Sequence, residues 1–95
     1  MNKFNQVLKH LESSTIHQSA WDVPFSLCES GIVESLGGKQ ESRSYMNRIL
    51  NQLQDEGLIF FVKKHIIGGT GTRRRKAYFI TEEGKEKLLE VQTDE

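Results

Sequence analysis

Apolar residues fall at helical spacing in several separate stretches of the chain, and each stretch predicts an element. Phe4, Val7, Leu8 and Leu11 stand at i, i+3, i+4 and i+7, which predicts an amphipathic helix over residues 3–12, with Lys3, Gln6 and Lys9 turned away from its core face. Residues 13–20 are polar and carry few structural signals. Residues 21–25 read as a short edge strand, because Pro24 biases Val23 away from the helical region. Ser26 followed by Glu29 has the spacing of a capping box, and Leu27, Ile32, Val33 and Leu36 give the next helix its apolar positions before Gly37 and Gly38 end it. Ser42 is the expected cap of a longer helix over 42–56. In that helix Met46, Ile49, Leu50 and Leu53 share one face, Ser44, Arg48 and Asn51 lie opposite with Asn47 beside them, and Arg43 and Tyr45 flank.

The period changes after Gly57, a suitable residue for the left-handed conformation that stops a helix. Residues 58–67 are rich in β-branched and aromatic side chains, Gly68-Gly69-Thr70-Gly71 turns the chain, and residues 77–81 return as a second strand. Thr81 then caps a last helix, with Glu82 and Glu83 at the positive end of its dipole and Leu88, Leu89 and Val91 as its apolar contribution. Trp21 and Phe25 are assigned to the core.

Charge alters this picture more than composition does. The chain has 95 residues with thirteen basic and thirteen acidic side chains, so its net charge is zero. Between residues 39 and 76, however, nine basic residues face three acidic ones, giving +6, while the flanking segments carry −2 and −4. A cationic middle bounded by acidic ends is an electrostatic footprint for a polyanion, of which nucleic acid is the commonest. The length predicts one domain. No apolar run approaches the ~20 residues of a membrane span, and the single cysteine, Cys28, agrees with a reducing compartment, so a cytoplasmic protein is expected.

Little in the sequence points to catalysis. His10, His17 and His65 are not spaced as metal ligands, and no nucleophile, base and orienting carboxylate can be assembled from spacing, so neither an enzyme nor a cofactor is expected. The glycine cluster at 68–71 lacks the lysine and following helix of a phosphate-binding loop and reads as a hairpin tip. Cys28 has no resolving partner nearby in sequence, and a redox role is not expected.

A ten-residue helix, a glycine-containing turn, a longer helix and a β-hairpin follow one another in this order. Together with Gly31-Ile32-Val33-Glu34-Ser35-Leu36, the run from Asn47 to Ile59 with its L-x-x-L-x-x-x-G-L-I pattern, and Arg73 to Lys76 followed by Ala77-Tyr78-Phe79-Ile80-Thr81-Glu82-Glu83-Gly84-Lys85, the chain resembles the winged helix-turn-helix domains of small MarR-like archaeal and bacterial regulators. The resemblance covers residues 23–89. It implies an α+β fold of three core helices and a β-hairpin wing with an additional C-terminal helix, in one domain over 1–95: helix-turn-helix 26–56, wing 58–81 and last helix 82–92.

It also implies double-stranded DNA as partner and a role in transcription regulation. The recognition helix would present Ser42, Arg43, Ser44, Asn47, Arg48 and Asn51 to the major groove, where arginine suits guanine and asparagine suits adenine. The wing would set Lys63, Lys64, Thr70, Thr72, Arg73, Arg74, Arg75 and Lys76 against phosphate or the minor groove. A homodimer through the N-terminal helix, using Phe4, Val7, Leu8 and Leu11, is a further expectation. The competing class is a protein-docking module, which would rely on apolar surface at Phe60, Phe61 or Ile66; an exposed phenylalanine beside the wing would favour it.

Overall fold

The computed structural model describes residues 3–36, 43–67 and 74–93 and has an α+β architecture. The elements in chain order are α1 (Lys3–His10), β1 (Asp22–Pro24), α2 (Glu29–Leu36), α3 (Arg43–Asp55), β2 (Ile59–Ile67), β3 (Arg75–Ile80) and α4 (Glu82–Thr93), with single 3₁₀ turns at Ser14–His17 and Phe25–Leu27. The expected glycine stop at 37–38, the Ser42 cap and the turn at 68–71 lie outside the described residues.

The three strands form one sheet in the order β1-β2-β3. β2 and β3 pair antiparallel from Ile59 opposite Ile80 to Lys64 opposite Arg75, while β1 runs parallel to the far end of β2, with Val23 opposite Ile66. The returning strand begins at Arg75 rather than Ala77, which brings Arg75 and Lys76 into the ladder. β2 moves into and out of the core along its length. Ile59 is buried, Phe61 to Lys63 are exposed, and Ile66 is buried again where β1 lies beside it.

The predicted apolar faces of the first three helices meet in a single core. Val7, Leu8 and Leu11 from the N-terminal segment, Ile32 from α2, and Met46, Ile49, Leu50 and Leu53 from α3 are all buried there with Tyr78, Phe79 and Ile80. Three expectations change as a result. Of the four residues expected at a dimer interface, Val7, Leu8 and Leu11 are enclosed by the chain's own core and only Phe4 is partly exposed. Trp21, assigned to the core, is 70% exposed. In α4 only Leu88 of the described apolar residues is buried, and Leu89 is 60% exposed.

Helix ends are set by local chemistry. Gly57 takes φ +75°, the left-handed conformation, and the Leu58 and Gly57 N–H groups donate to the carbonyls of Leu53 and Gln54 at 3.0 Å each, the reciprocal pattern that closes α3. Thr81 caps α4 as expected: its hydroxyl accepts from the Gly84 N–H at 3.0 Å and donates to the Gly57 carbonyl at 2.7 Å, tying the start of α4 to the end of α3.

The cap of α2 differs from expectation. The 3₁₀ turn at Phe25–Leu27 takes up Ser26, and the helix begins after Cys28, whose backbone is extended. Cys28 occupies the cap position, its carbonyl accepting from the Ile32 N–H at 2.9 Å and its buried sulfur from the Gly31 N–H at 3.4 Å. The turn sits so close over the helix that a Cβ on Gly31 would lie 1.9 Å from the Phe25 carbonyl oxygen. A glycine is required there by the approach, not by backbone angle.

The polar stretch before β1 has a structural role that its composition does not reveal. Ser14 is buried, and its hydroxyl accepts a hydrogen bond from the Ile80 N–H at 3.0 Å, at the point where the β3 backbone leaves the sheet. Without that acceptor a buried donor is orphaned. Ser14→Ala is therefore expected to cost about 1–3 kcal/mol of stability, measured as a lowered urea midpoint, whereas Ser14→Thr, which keeps the hydroxyl, should cost less. Equal losses in the two variants would show that packing, not the hydrogen bond, decides the site.

Candidate nucleic-acid interface

The outer face of α3 follows from its inner one. Burial of Met46, Ile49, Leu50 and Leu53 rotates Ser44, Arg48 and Asn51 outward into solvent, with Asn47 half-buried beside them. This is a short row of hydrogen-bonding side chains on a rigid helix. Of the other two residues expected to join them, Arg43 opens the helix and Ser42 lies outside the described residues.

The hairpin brings the second group together. Register sets Lys63 directly opposite Lys76 and Lys64 directly opposite Arg75, two consecutive like-charged cross-strand pairs. Such pairs oppose strand pairing, since their charged side chains emerge on the same face. Thr70, Thr72 and Arg73, which sequence reasoning added to this group, lie outside the described residues.

The cations of the hairpin do different things. Lys64 is held by backbone: its ammonium donates to the carbonyls of Gln18 at 2.9 Å and Ala20 at 2.7 Å, so it fastens the segment before β1 to β2. This position differs from the phosphate-facing role expected for it. The Arg74 guanidinium lies 4.7 Å from the centre of the Trp21 ring, and the Lys76 ammonium lies 4.7 Å from the centre of the Phe61 ring. Both are at cation–π distance. Among the described residues Lys63, Arg74 and Lys76 form no ion pair with a carboxylate.

A groove of about 280 Å³ runs between the start of α2 and the hairpin, lined by Ser30 and Glu29 on one side and Lys63, Arg74, Arg75 and Lys76 on the other. Four cations and one carboxylate leave it strongly electropositive. Tyr78 lies close to the carboxylate; burial, reinforced by Glu29, pushes its phenol from 10.0 up to about 12. Sequence reasoning did not find Trp21 or Ser30 as surface features. Trp21 was assigned by hydrophobicity alone, although its position beside the polar run 13–20 and the acidic Asp22 is a weak sign of exposure.

Among the described residues no group of three or more His, Cys, Asp or Glu side chains could hold a metal ion, and no helix is long and apolar enough to cross a membrane. No protein-family model matches the chain, and no match was found among curated proteins or solved structures.

Two outcomes follow from the electrostatics of this region. Because Tyr78 is held neutral in the folded chain to about pH 12 but ionises near 10.0 when unfolded, its stabilising contribution is complete below pH 10 and is lost as pH rises from there to about 12. Urea midpoints across that range should fall in the native protein and fall less steeply in Tyr78→Phe; parallel curves would refute the assignment. Relief of the Lys63 and Lys76 repulsion in Lys63→Gln should leave stability unchanged or raise it by about 0.2–1 kcal/mol. A marked loss in the same assay would mean that Lys63 contributes to the fold.

Proposed function

We propose that the chain is a winged helix-turn-helix that binds double-stranded DNA as a transcription regulator, with α2 and α3 as the helix-turn-helix and the β2–β3 hairpin as the wing. The observation that carries the reading is the outer face of α3, where Ser44, Arg48 and Asn51 stand exposed on a helix whose opposite side is fixed in the core. Arginine and asparagine are the side chains best matched to guanine and adenine edges, and a helix of the length of α3 fits the major groove. The hairpin follows α3 directly, as a wing would, and its cations suit phosphate neutralisation. Lys63, Arg74 and Lys76 fill that role in this reading; Lys64 supports the hairpin from behind.

A second reading, a protein-docking surface, is favoured by a specific observation. Phe61 is 39% exposed beside the hairpin cations, and Val62 and Ile67 on the same strand are also exposed. Lys76 covers part of the Phe61 ring, so this surface is amphipathic rather than purely apolar.

Fluorescence anisotropy of a mixed-sequence duplex at several salt concentrations separates the two. The DNA reading expects micromolar or tighter binding at low salt, steep salt dependence, and a slope of log K against log salt that is shallower by up to ~0.9 for each phosphate contact removed in Lys63→Gln or Lys76→Gln. On duplexes selected for tight binding, Arg48→Ala should lose about 1–3 kcal/mol, roughly 5- to 150-fold, and relax preference at one base pair. Absence of binding at low salt would eliminate the DNA reading and leave the docking surface.

A further inference from the structure

We propose that the hairpin carries a site for a nucleotide whose base is unpaired, with the phosphate in the cationic groove at the start of α2 and the base stacked on Trp21. The inference stands on the hairpin and does not rest on the duplex reading of α3.

An exposed tryptophan is the clearest anomaly of this surface. It is 70% exposed even with Arg74 against it, yet its backbone is held from both sides. On the N-terminal side Lys64 binds the carbonyls of Gln18 and Ala20, and on the C-terminal side Asp22 Oδ1 lies 2.9 Å from His65 Nδ1. Val23, next along β1, is fully buried and pairs with Ile66. Trp21 is thus a large apolar ring anchored at the surface, and anchoring lowers the entropic cost of stacking a flat ligand on it.

Two depressions on this surface have Lys63 and Arg74 in common, and one of them reaches the ring. One, of about 170 Å³, is lined by Trp21, Val62, Lys64, His65, Lys63 and Arg74. The other is the cationic groove of about 280 Å³, which shares Lys63 and Arg74 with the first and adds Arg75, Lys76, Ser30, Cys28 and the carboxylate of Glu29, one acidic group against four cations. The pair thus has an aromatic end and a cationic end, with Lys63 and Arg74 common to both. A phosphate suits the cationic end, which lysine, arginine and serine side chains line, and a planar base suits the aromatic end, where it can stack on the indole face that Arg74 does not cover. The like-charged cross-strand pair of Lys63 with Lys76, both of which line the groove, has a physical reason in this arrangement, since a bound phosphate offsets the repulsion. A base inside a duplex cannot reach such a ring, so the ligand is a single strand or a free nucleotide.

Trp21 is the only tryptophan in the chain, which makes it its own reporter. Oligothymidylate, thymidine 5′-monophosphate and inorganic phosphate would each be titrated into the full chain while tryptophan emission is followed, and a labelled oligothymidylate would be titrated by anisotropy with variants. Oligothymidylate is expected to quench the emission. Trp21→Ala should weaken the labelled strand by about tenfold or more, Trp21→Phe should restore most of the loss, and Lys63→Gln should weaken it and flatten its salt dependence. Quenching by the strand alone assigns the site to single strands, and equal quenching by the mononucleotide assigns it to free nucleotides; both support the proposal. Absence of quenching by either, equal quenching by inorganic phosphate, or unchanged affinity in Trp21→Ala would overturn it.

The duplex assay stays separate from this test. Arg48→Ala should weaken the duplex and leave oligothymidylate binding intact, whereas a native chain that binds the strand but no duplex would remove the α3 reading and keep this one.

Discussion

The structure depends on the burial of β3. Ala77, Tyr78, Phe79 and Ile80 are each at most 2% exposed, so this short strand is covered on both faces rather than lying half in solvent. A strand enclosed in this way must have each backbone donor and acceptor satisfied, and its neighbours are arranged accordingly. β2 supplies the ladder on one side, an isolated bridge joins Cys28 to Ala77, and Ser14 receives the Ile80 N–H. The cap of α2, the polar segment before β1 and the end of α3 are thereby drawn to one strand. That convergence places the start of α2 next to the hairpin cations.

The same convergence explains what could be read from the sequence. Helical periodicity identified the faces of α1 and α3, because four apolar residues at fixed spacing leave few ways to turn a helix: Val7, Leu8, Leu11, Met46, Ile49, Leu50 and Leu53 are all buried. Gly57 and Thr81 were legible for a similar reason, since left-handed backbone and a hydroxyl cap are local requirements. Ser26 was misread as a cap because the choice between Ser26 and Cys28 depends on whether a 3₁₀ turn intervenes, and Cys28 is fixed by its bridge to Ala77, a contact across 49 positions of chain. Ser14 was silent for the same reason, as its partner lies at |i−j| = 66.

Side-chain chemistry of the candidate site was legible in kind but not in arrangement. Counting charges located a cationic middle, and alternation indicated that neighbouring cations would face opposite sides of a strand. Neither could show which residues stand across from one another, because register is settled by the first core pairs, buried Ile59 with Ile80 and partly buried Phe60 with Phe79, the two phenylalanine rings lying 5.6 Å apart. Once those pairs are fixed, Lys63 must meet Lys76 and Lys64 must meet Arg75. The core thus imposes the repulsion at the surface. Lys64 is relieved by the carbonyls of Gln18 and Ala20, and that relief in turn fixes Trp21 at the surface, where hydrophobicity alone would not have put it.

Two ligand modes argued for this chain draw on some of the same charges, and thermodynamics constrains how they can coexist. Lys63, Arg74 and Lys76 line the groove at the start of α2 and are also the hairpin cations available to a duplex phosphate lying beside α3. A phosphate held in the groove reduces the potential available to a second phosphate nearby, so the two ligands oppose one another, and the opposition is reciprocal. The arginine and asparagine face of α3 is not shared in this way, since Arg48 and Asn51 take no part in lining the groove. Competition should consequently act on affinity and its salt dependence through the hairpin, while base preference, which resides on α3 in the proposed mode, stays the same. A chain that binds both ligands by one undivided surface would instead lose preference and affinity together.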